Sequence, residues 1–192
     1  MKEIFKGIAN VMSLAIAIVP ALLSGFGRVE PMFVLFAQAF AAVPGVPGDY
    51  LRIAYYKLTL DECSLDSRIQ FGSIFAHARA QVGRGVYIGS YCIFGHAAIG
   101  HRTQIASGVQ ILSGRRQHAR DETGRIQGSD RGDFQAVTIG PDCWLGAGAI
   151  VMADVGEGST IGAGSVVVQP IPAHSIAAGN PARVLKRAAP EG

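Results

Sequence analysis
The polar stretch from Ser113 to Ala136, SGRRQHARDETGRIQGSDRGDFQA, gathers His118 with Arg115, Arg116, Arg120, Asp121 and Asp133. A histidine set among carboxylates suits proton abstraction from a hydroxyl, because imidazole titrates near neutral pH and a carboxylate can orient its ring. On this reading His118 is the candidate base, Asp121 or Asp133 its orienting partner, and Arg115 and Arg116 candidates for holding an anionic acceptor. A solvated loop without chemistry would have the same composition. A second constellation lies upstream in FGHAAIGH, where His96 and His101 are five residues apart, with His77 available as a third imidazole.

The polar stretch interrupts a periodic pattern, and that pattern has to position it. From Val137 to Val168 an aliphatic residue followed by glycine recurs at Ile139 and Leu145, then at Val155 and Ile161, six residues apart within each pair. Four residues after each aliphatic stands a small one: Cys143, Ala149, Ser159 and Ser165. A fixed period with one aliphatic and one small row predicts a parallel β-helix with narrow inside corners. Upstream, the aliphatic row recurs at Val82, Ile88, Ile93, Ile99, Ile105 and Ile111, with a single step of five between Ile88 and Ile93. Its small row is Val86, Cys92, Ala97, Thr103 and Val109. Residues 63–81 are degenerate, as a terminal coil is expected to be, with Leu65, Ile69, Phe71 and Phe75 as inward candidates. Strands this short depend on stacking for partner hydrogen bonds and buried neighbours.

The first sixty residues are of another kind. Ile8 to Leu23 is almost wholly apolar, and a second apolar run, Met32 to Val43, follows the tetrad Gly27–Glu30. The first run is near the ~20 residues that cross a bilayer core, and the second is short for it. Lys2 and Lys6 precede the pair while Arg52 and Lys57 follow it, which suits a hairpin that enters and leaves a membrane on the cytoplasmic side, a re-entrant or interfacial pair of helices. Helices buried against another subunit, or a secretory signal over residues 1–25, would share much of this pattern. Pro44-Gly45-Val46-Pro47-Gly48 is expected to break any helix, and Asp49 to cap a following one over Tyr50–Leu60. That helix would present Leu51, Ala54, Tyr55 and Leu58 on its apolar face and turn Arg52 and Lys57 away.

The expected organisation is therefore an all-β chain with a helical appendage: residues 1–60 hydrophobic and membrane-associating, 61–187 a β-helix with an extruded loop at 113–136, and 188–192 a tail. Of the 192 residues 25 are glycine, and their periodicity marks turns, not disorder. The net charge of +3 is mild, and no aromatic-interleaved basic run points to nucleic acid. Of three cysteines, Cys92 and Cys143 fall in the small row, which predicts buried thiols in a reducing compartment.

The repeat, together with the loop and the tail Ile176-Ala-Ala-Gly-Asn-Pro-Ala-Arg-Val-Leu-Lys, resembles the hexapeptide-repeat acyltransferases over about residues 63–187. The resemblance implies a left-handed parallel β-helix, a homotrimer and transfer of an acetyl group from acetyl-CoA to a hydroxyl or amine, without a metal. Sugar O-acetyltransferases of this kind carry a Thr-Gly-His or similar triplet at the start of the loop. Here Ser113-Gly114-Arg115-Arg116-Gln117-His118 stands there, so Arg occupies the family's histidine position and His118 is the nearest histidine. By the same resemblance Trp144 and Ala147 would line the thioester end of the cofactor, Ala163 and Gly164 the pantetheine arm, and Arg183 and Lys186 the nucleotide phosphates. His96, on the coil just before the loop, would line the acceptor site. The apolar amino-terminal segment adds a membrane-linked glycan acceptor on the cytoplasmic side, where acetyl-CoA is available. Two other classes share the coil: the γ-class carbonic anhydrases, which space two metal-binding histidines as His96 and His101 are spaced and would take His77 as the third zinc ligand, and a non-catalytic β-helix scaffold.

Overall fold
The computed structural model describes residues 2–114, 118–128 and 134–187. Three helices, α1 (Lys2–Leu23), α2 (Glu30–Ala41) and α3 (Gly45–Thr59), are followed by short strands, mostly of two residues, that stack into three parallel sheets. The first sheet contains Glu62–Cys63, Gln81–Val82, Ala97–Ile99 and Val137–Ile139, and single bridges through Val155 and Ile171 extend it. The second runs from Arg68–Ile69 to Ser175–Gly179, and the third from Ile74–Phe75 to Val166–Val167. The chain visits the three in rotation, so the body is a triangular prism of about six coils with the left-handed parallel β-helix architecture the repeat predicts. An antiparallel pair, Ser175–Gly179 with Ala182–Arg187, closes the far end.

Both predicted rows fill the interior. Ile139, Leu145, Val155 and Ile161 are buried, and so are Cys143, Ala149, Ser159 and Ser165. The upstream aliphatic row departs at one place. Phe94 is the inward residue while Ile93 faces out, so the step of five falls between Phe94 and Ile99. In the first coil Cys63, Ile69 and Phe75 point inward, whereas Leu65 and Phe71 are only half-buried. Alternation within a two-residue strand puts neighbours on opposite faces, so a one-residue shift of register exchanges which of the two is core.

The small row does more than leave room. Ser73 Oγ donates to the Gly89 carbonyl (2.6 Å) and accepts from the Cys92 amide (2.9 Å). Thr103 Oγ1 donates to the Gly140 carbonyl (2.9 Å) and accepts from the Cys143 amide (3.3 Å). Ser67 and Ser159 repeat the arrangement, and the Cys92 and Cys143 thiols donate to the Ala106 and Gly156 carbonyls in the same manner. Each corner hydroxyl thus satisfies main-chain groups that the turn leaves without a ladder partner. All three cysteines are free and buried, and burial pushes the Cys63 thiol up to about 12, so these thiols are inert packing groups.

The helices depart more from expectation. Helix α3 begins at Gly45, so Pro47 lies in its first turn, where a missing amide costs nothing. Asp49 is inside this helix and does not cap it. Its carboxylate instead bridges Arg52 (2.7 Å) and Arg68 of the first coil (2.7 Å). Arg52, expected at the surface, is fully buried: it donates to the Phe40 (2.9 Å), Val43 (2.8 Å) and Ile69 (2.9 Å) carbonyls. Gly48 is required beside it, because a Cβ there would collide with the Val43 carbonyl. An aromatic series continues the join, with Phe33 on Tyr55, Tyr56 on Phe75 (4.9 Å) and Phe75 stacked on Phe94 (4.7 Å). The Tyr56 hydroxyl accepts from the Phe75 amide (3.2 Å). The helices are therefore one body with the first coils.

Replacing Arg52 by Ala strips three buried carbonyls and Asp49 of their shared donor, and is expected to cost about 3–5 kcal/mol in urea unfolding. Removing Lys57, which is exposed, should shift the midpoint by no more than ~0.5 kcal/mol equivalent.

Candidate functional site
A triangular coil turns residues distant in sequence into a vertical line along one corner. His77 follows strand Ile74–Phe75, and His96 follows Ile93–Phe94, which pairs with it in register. The two imidazoles lie one above the other, edge to face, with ring centroids 4.7 Å apart. The loop 113–136 leaves from the same corner one coil higher, where Ser113 Oγ accepts from the His96 amide (2.9 Å). The loop returns through Phe134, whose ring lies 5.8 Å from His96 and 5.9 Å from His77.

The turn between α1 and α2 closes the other side. It is knitted by the Val29 amide to the Ser24 carbonyl (2.9 Å) and the Phe26 amide to the Ala21 carbonyl (2.7 Å). Gly27, at φ +87°, lies so close against the Thr59 carbonyl and the Ala78 methyl that no side chain fits. This turn sets Glu30 at the start of α2, where it accepts a hydrogen bond from His77 Nδ1 (2.6 Å). Coil, loop and turn together enclose a cleft of about 1030 Å³ whose walls include Arg28, Glu30, His77, Arg79, His96 and His118.

Three histidines thus share one cleft, and each ring sits differently. His77 has a carboxylate on Nδ1, which fixes that nitrogen as the donor and leaves Nε2 as the basic atom. His118 Nδ1 lies 3.2 Å from the Gln127 carbonyl, a contact that only a protonated Nδ1 can make, again leaving Nε2 basic. For His96 burial holds the pKa below the ordinary histidine value; neighbouring His77 and Arg79 push the same way, and Glu30 and Asp61 oppose them.

The predicted residues divide accordingly. His96 and His118 line the same cleft. Asp121 does not orient His118: its Oδ1 accepts from the Thr123 amide (2.9 Å), the Thr123 hydroxyl (2.7 Å) and the Arg125 amide (3.0 Å), holding a turn of the loop. Those bonds, led by the Thr123 hydroxyl, keep its pKa below the usual carboxylate range. Arg115, Arg116, Asp133 and the tail 188–192 lie outside the described residues. The sequence reading missed Glu30 as a partner for His77, and missed Arg28, Arg79 and Phe134 as walls. The metal set is not assembled. His101 lies on the next corner, where its Nδ1 accepts from the Arg84 amide (2.9 Å), and among the described residues no three His, Cys, Asp or Glu side chains converge on a metal position.

A different corner carries the residues expected to meet the cofactor. Trp144 stands outward between Gln104 and Thr160 on adjacent coils, 57% exposed. Beside it the corner turns stack, with the Gly148 amide on the Ser107 carbonyl (3.0 Å) and the Gly164 amide on the Ala147 carbonyl (2.8 Å). Gly148 and Gly164 take φ near +68° and +65° and have nothing within 4 Å of a would-be Cβ, so Ala147 and Ala163 border a smooth ridge of main chain. Arg183 and Lys186 are exposed on the closing strand pair, with Lys186 opposite Ile176.

Residues 136–169 match the bacterial transferase hexapeptide (six repeats) family. The whole body superimposes on a hexapeptide-repeat-containing acetyltransferase from Vibrio cholerae with a TM-score of 0.69 at 17% identity, covering 85% of this chain and 92% of that one. This is the fold of the hexapeptide-repeat acyltransferases. A second solved structure, the polySia-specific acetyltransferase NeuO, aligns with a TM-score of 0.52 at 26% identity over 66% of this chain and 63% of its own. In sequence, a putative acetyltransferase of Saccharomyces cerevisiae is 34% identical over 116 residues, 55% of this chain and 57% of that protein. The first curated relatives are spanned only in part, between 27% and 57% of their lengths.

The depressed His96 pKa yields a titration experiment. Its C2 proton should titrate below the ordinary histidine range in NMR, and His77→Ala, which removes both cover and a neighbouring charge, should move it upward. Because the unfolded chain takes up this proton more readily than the folded one, His96 withdraws stability as pH falls through the ordinary histidine range, and thermal melts across that window should show the loss.

Proposed function
We propose that this protein is an acetyltransferase that moves the acetyl group of acetyl-CoA to a hydroxyl of a sugar, working as a homotrimer. The observation that carries the reading is the cleft in which loop, coil and helix turn bring His118, His96 and His77 with Glu30 together. Its neighbours in fold support the donor and the acceptor class: the Vibrio cholerae protein was solved with acetyl coenzyme A, and NeuO is specific for polySia.

His118 is the base. With its Nδ1 proton held by the Gln127 carbonyl, Nε2 is free to take the acceptor proton while the hydroxyl oxygen attacks the thioester carbonyl. The charge that develops on that carbonyl oxygen needs donors, and main-chain amides of the corner turns supply them at no cost of reorganisation. Collapse of the tetrahedral species expels the thiolate of CoA, which takes the proton from His118. His96 and the His77–Glu30 pair hold the acceptor, with Phe134 as an apolar face for a sugar ring. Trp144, Ala147, Ala163 and Gly164 fit an extended pantetheine arm, since the ridge exposes main-chain groups without side chains in the way. Arg183 and Lys186 supply cations for the phosphates.

Trimerisation follows from the geometry of the reading. The ridge lies at the corner between the second and third sheets, and the cleft at the corner between the third and first. In one chain the donor and acceptor positions face different directions. A symmetric trimer sets the ridge of one copy against the cleft of its neighbour. The membrane-linked acceptor is supported by α1, whose Ile4–Leu23 segment is apolar and largely exposed; the cytoplasmic side is where acetyl-CoA is available.

One observation favours a second reading of the base. His77 has the closer orienting group, a carboxylate at 2.6 Å, and would serve if the acceptor hydroxyl docks against the coil and not the loop. Kinetics separate the two. His118→Ala should lower kcat by about 10²–10⁴-fold with little change in the acceptor KM, while His77→Ala should act mainly on KM. The reverse pattern moves the base to His77. Trp144→Ala should weaken CoA binding in calorimetry and leave the histidine titrations unchanged.

A further inference from the structure
Helix α1 is built inside out for a helix of a water-soluble body. Its inner face, packed along α3, is mostly small: Ala17 and Ala21 are fully buried and Ser13 nearly so, beside Leu14, and Ser24 just past its end is buried too. Its outer face carries the large ones, and Ile8, Val11, Met12, Ile16, Val19 and Leu23 are each 55–68% exposed. At ~100° per residue these six fall within an arc of about 140°, a continuous apolar stripe about 23 Å long. No charged residue occurs between Lys6 and Arg28, and those two cations mark its ends.

Both ends are tied to the folded body. Lys6 Nζ pairs with Asp66 of the first coil (3.2 Å), and the turn after α1 is locked by Gly27 against Thr59 and Ala78. A helix held along its length and at both ends lies along the protein surface. Leaving that surface to cross a bilayer would break its packing on α3 and the turn locked by Gly27.

We propose that α1 is an in-plane membrane-docking helix whose outer stripe sinks into one leaflet of an anionic bilayer, with Arg28 at the headgroup level. Burial of the stripe supplies the apolar energy and Arg28, which follows it directly, the attraction to acidic headgroups. A bilayer fits this face better than a second copy of the chain does, because the stripe offers no polar group to set a register and ends at an exposed cation. The docked orientation has a consequence for the cleft. Phe26, Gly27, Arg28 and Glu30 follow α1 directly and form the rim of the cleft, so docking brings its mouth to the headgroup zone. This deepens the membrane-linked acceptor reading, since such an acceptor would enter without leaving the leaflet.

The test uses the full chain and vesicles of phosphatidylcholine with phosphatidylglycerol, and needs no turnover. Wild-type protein should co-sediment, less so at high salt, and the triple variant Ile8→Ser, Val11→Ser, Val19→Ser should lose at least about tenfold in partitioning while keeping its thermal transition. A fluorophore on Gly7→Cys, a position open to solvent in a chain whose own cysteines are buried, reports the geometry. In-plane docking predicts quenching both by iodide added outside and by lipids brominated near the headgroup. Protection from iodide would show a crossing helix and overturn the proposal. So would failure of the wild type to sediment, or a larger soluble assembly that the triple variant dissociates. Turnover of a water-soluble acceptor should be equal in wild type and triple variant, so an inactive enzyme with intact vesicle binding would count against the acetyl-transfer reading alone.

Discussion
The structure depends on one buried cation. Arg52 reaches from α3 to the last carbonyls of α2, to the chain beyond it and to the Ile69 carbonyl inside the first coil, and Asp49 neutralises it while also holding Arg68. Desolvation lowers the Arg52 pKa and the Asp49 carboxylate works against it, yet a guanidinium stays charged throughout any accessible pH range. A charge buried this fully is tolerable only with every donor satisfied, and the geometry it demands is correspondingly narrow. The helical layer therefore has one way to sit on the coil. The relation of the α1–α2 turn to the corner bearing His77 follows from it, and with that relation the cleft exists.

Stacked coils give the rest. Each coil cannot bury its own aliphatic residues, and the next coil covers them while hydroxyls at the corners close the hydrogen bonds that turns leave open. The same periodicity places outward residues in columns. His77 and His96 are in one column because the strands before them pair residue for residue, Ile74 with Ile93 and Phe75 with Phe94. A regular scaffold thus assembles chemistry from residues that are individually unremarkable in sequence.

The two rows, the short strands and the buried thiols were legible because each belongs to a local pattern repeated many times. What escaped lay where the repeat weakens or where contacts are long-range. The step of five moved by one coil position because Ile93 and Phe94 are both apolar, and only packing decides which faces inward. Arg52 reads as a surface residue until three carbonyls are known to surround it. Glu30 and His77 are separated by two helices and a coil, and no spacing rule connects them. The column of His77 and His96 was accessible in principle, but only once the degenerate first coil is set in register with the second. Proximity to His118 is no guide to Asp121: in Asp121-Glu122-Thr123-Gly124 it is also a turn former, and the turn takes its carboxylate.

The glycine ridge and the histidine cleft could not have shared a corner. The ridge is built of glycines with positive φ and bare main chain. The cleft needs bulky side chains and an inserted loop at the corresponding turns, which would cover any such ridge. A triangular coil offers three corners, and the sequence devotes one to each task. On the proposed reading the cost of the division is that neither corner completes the transfer in a single chain. Association of copies would then belong to the site itself, in the same sense that stacking belongs to each coil.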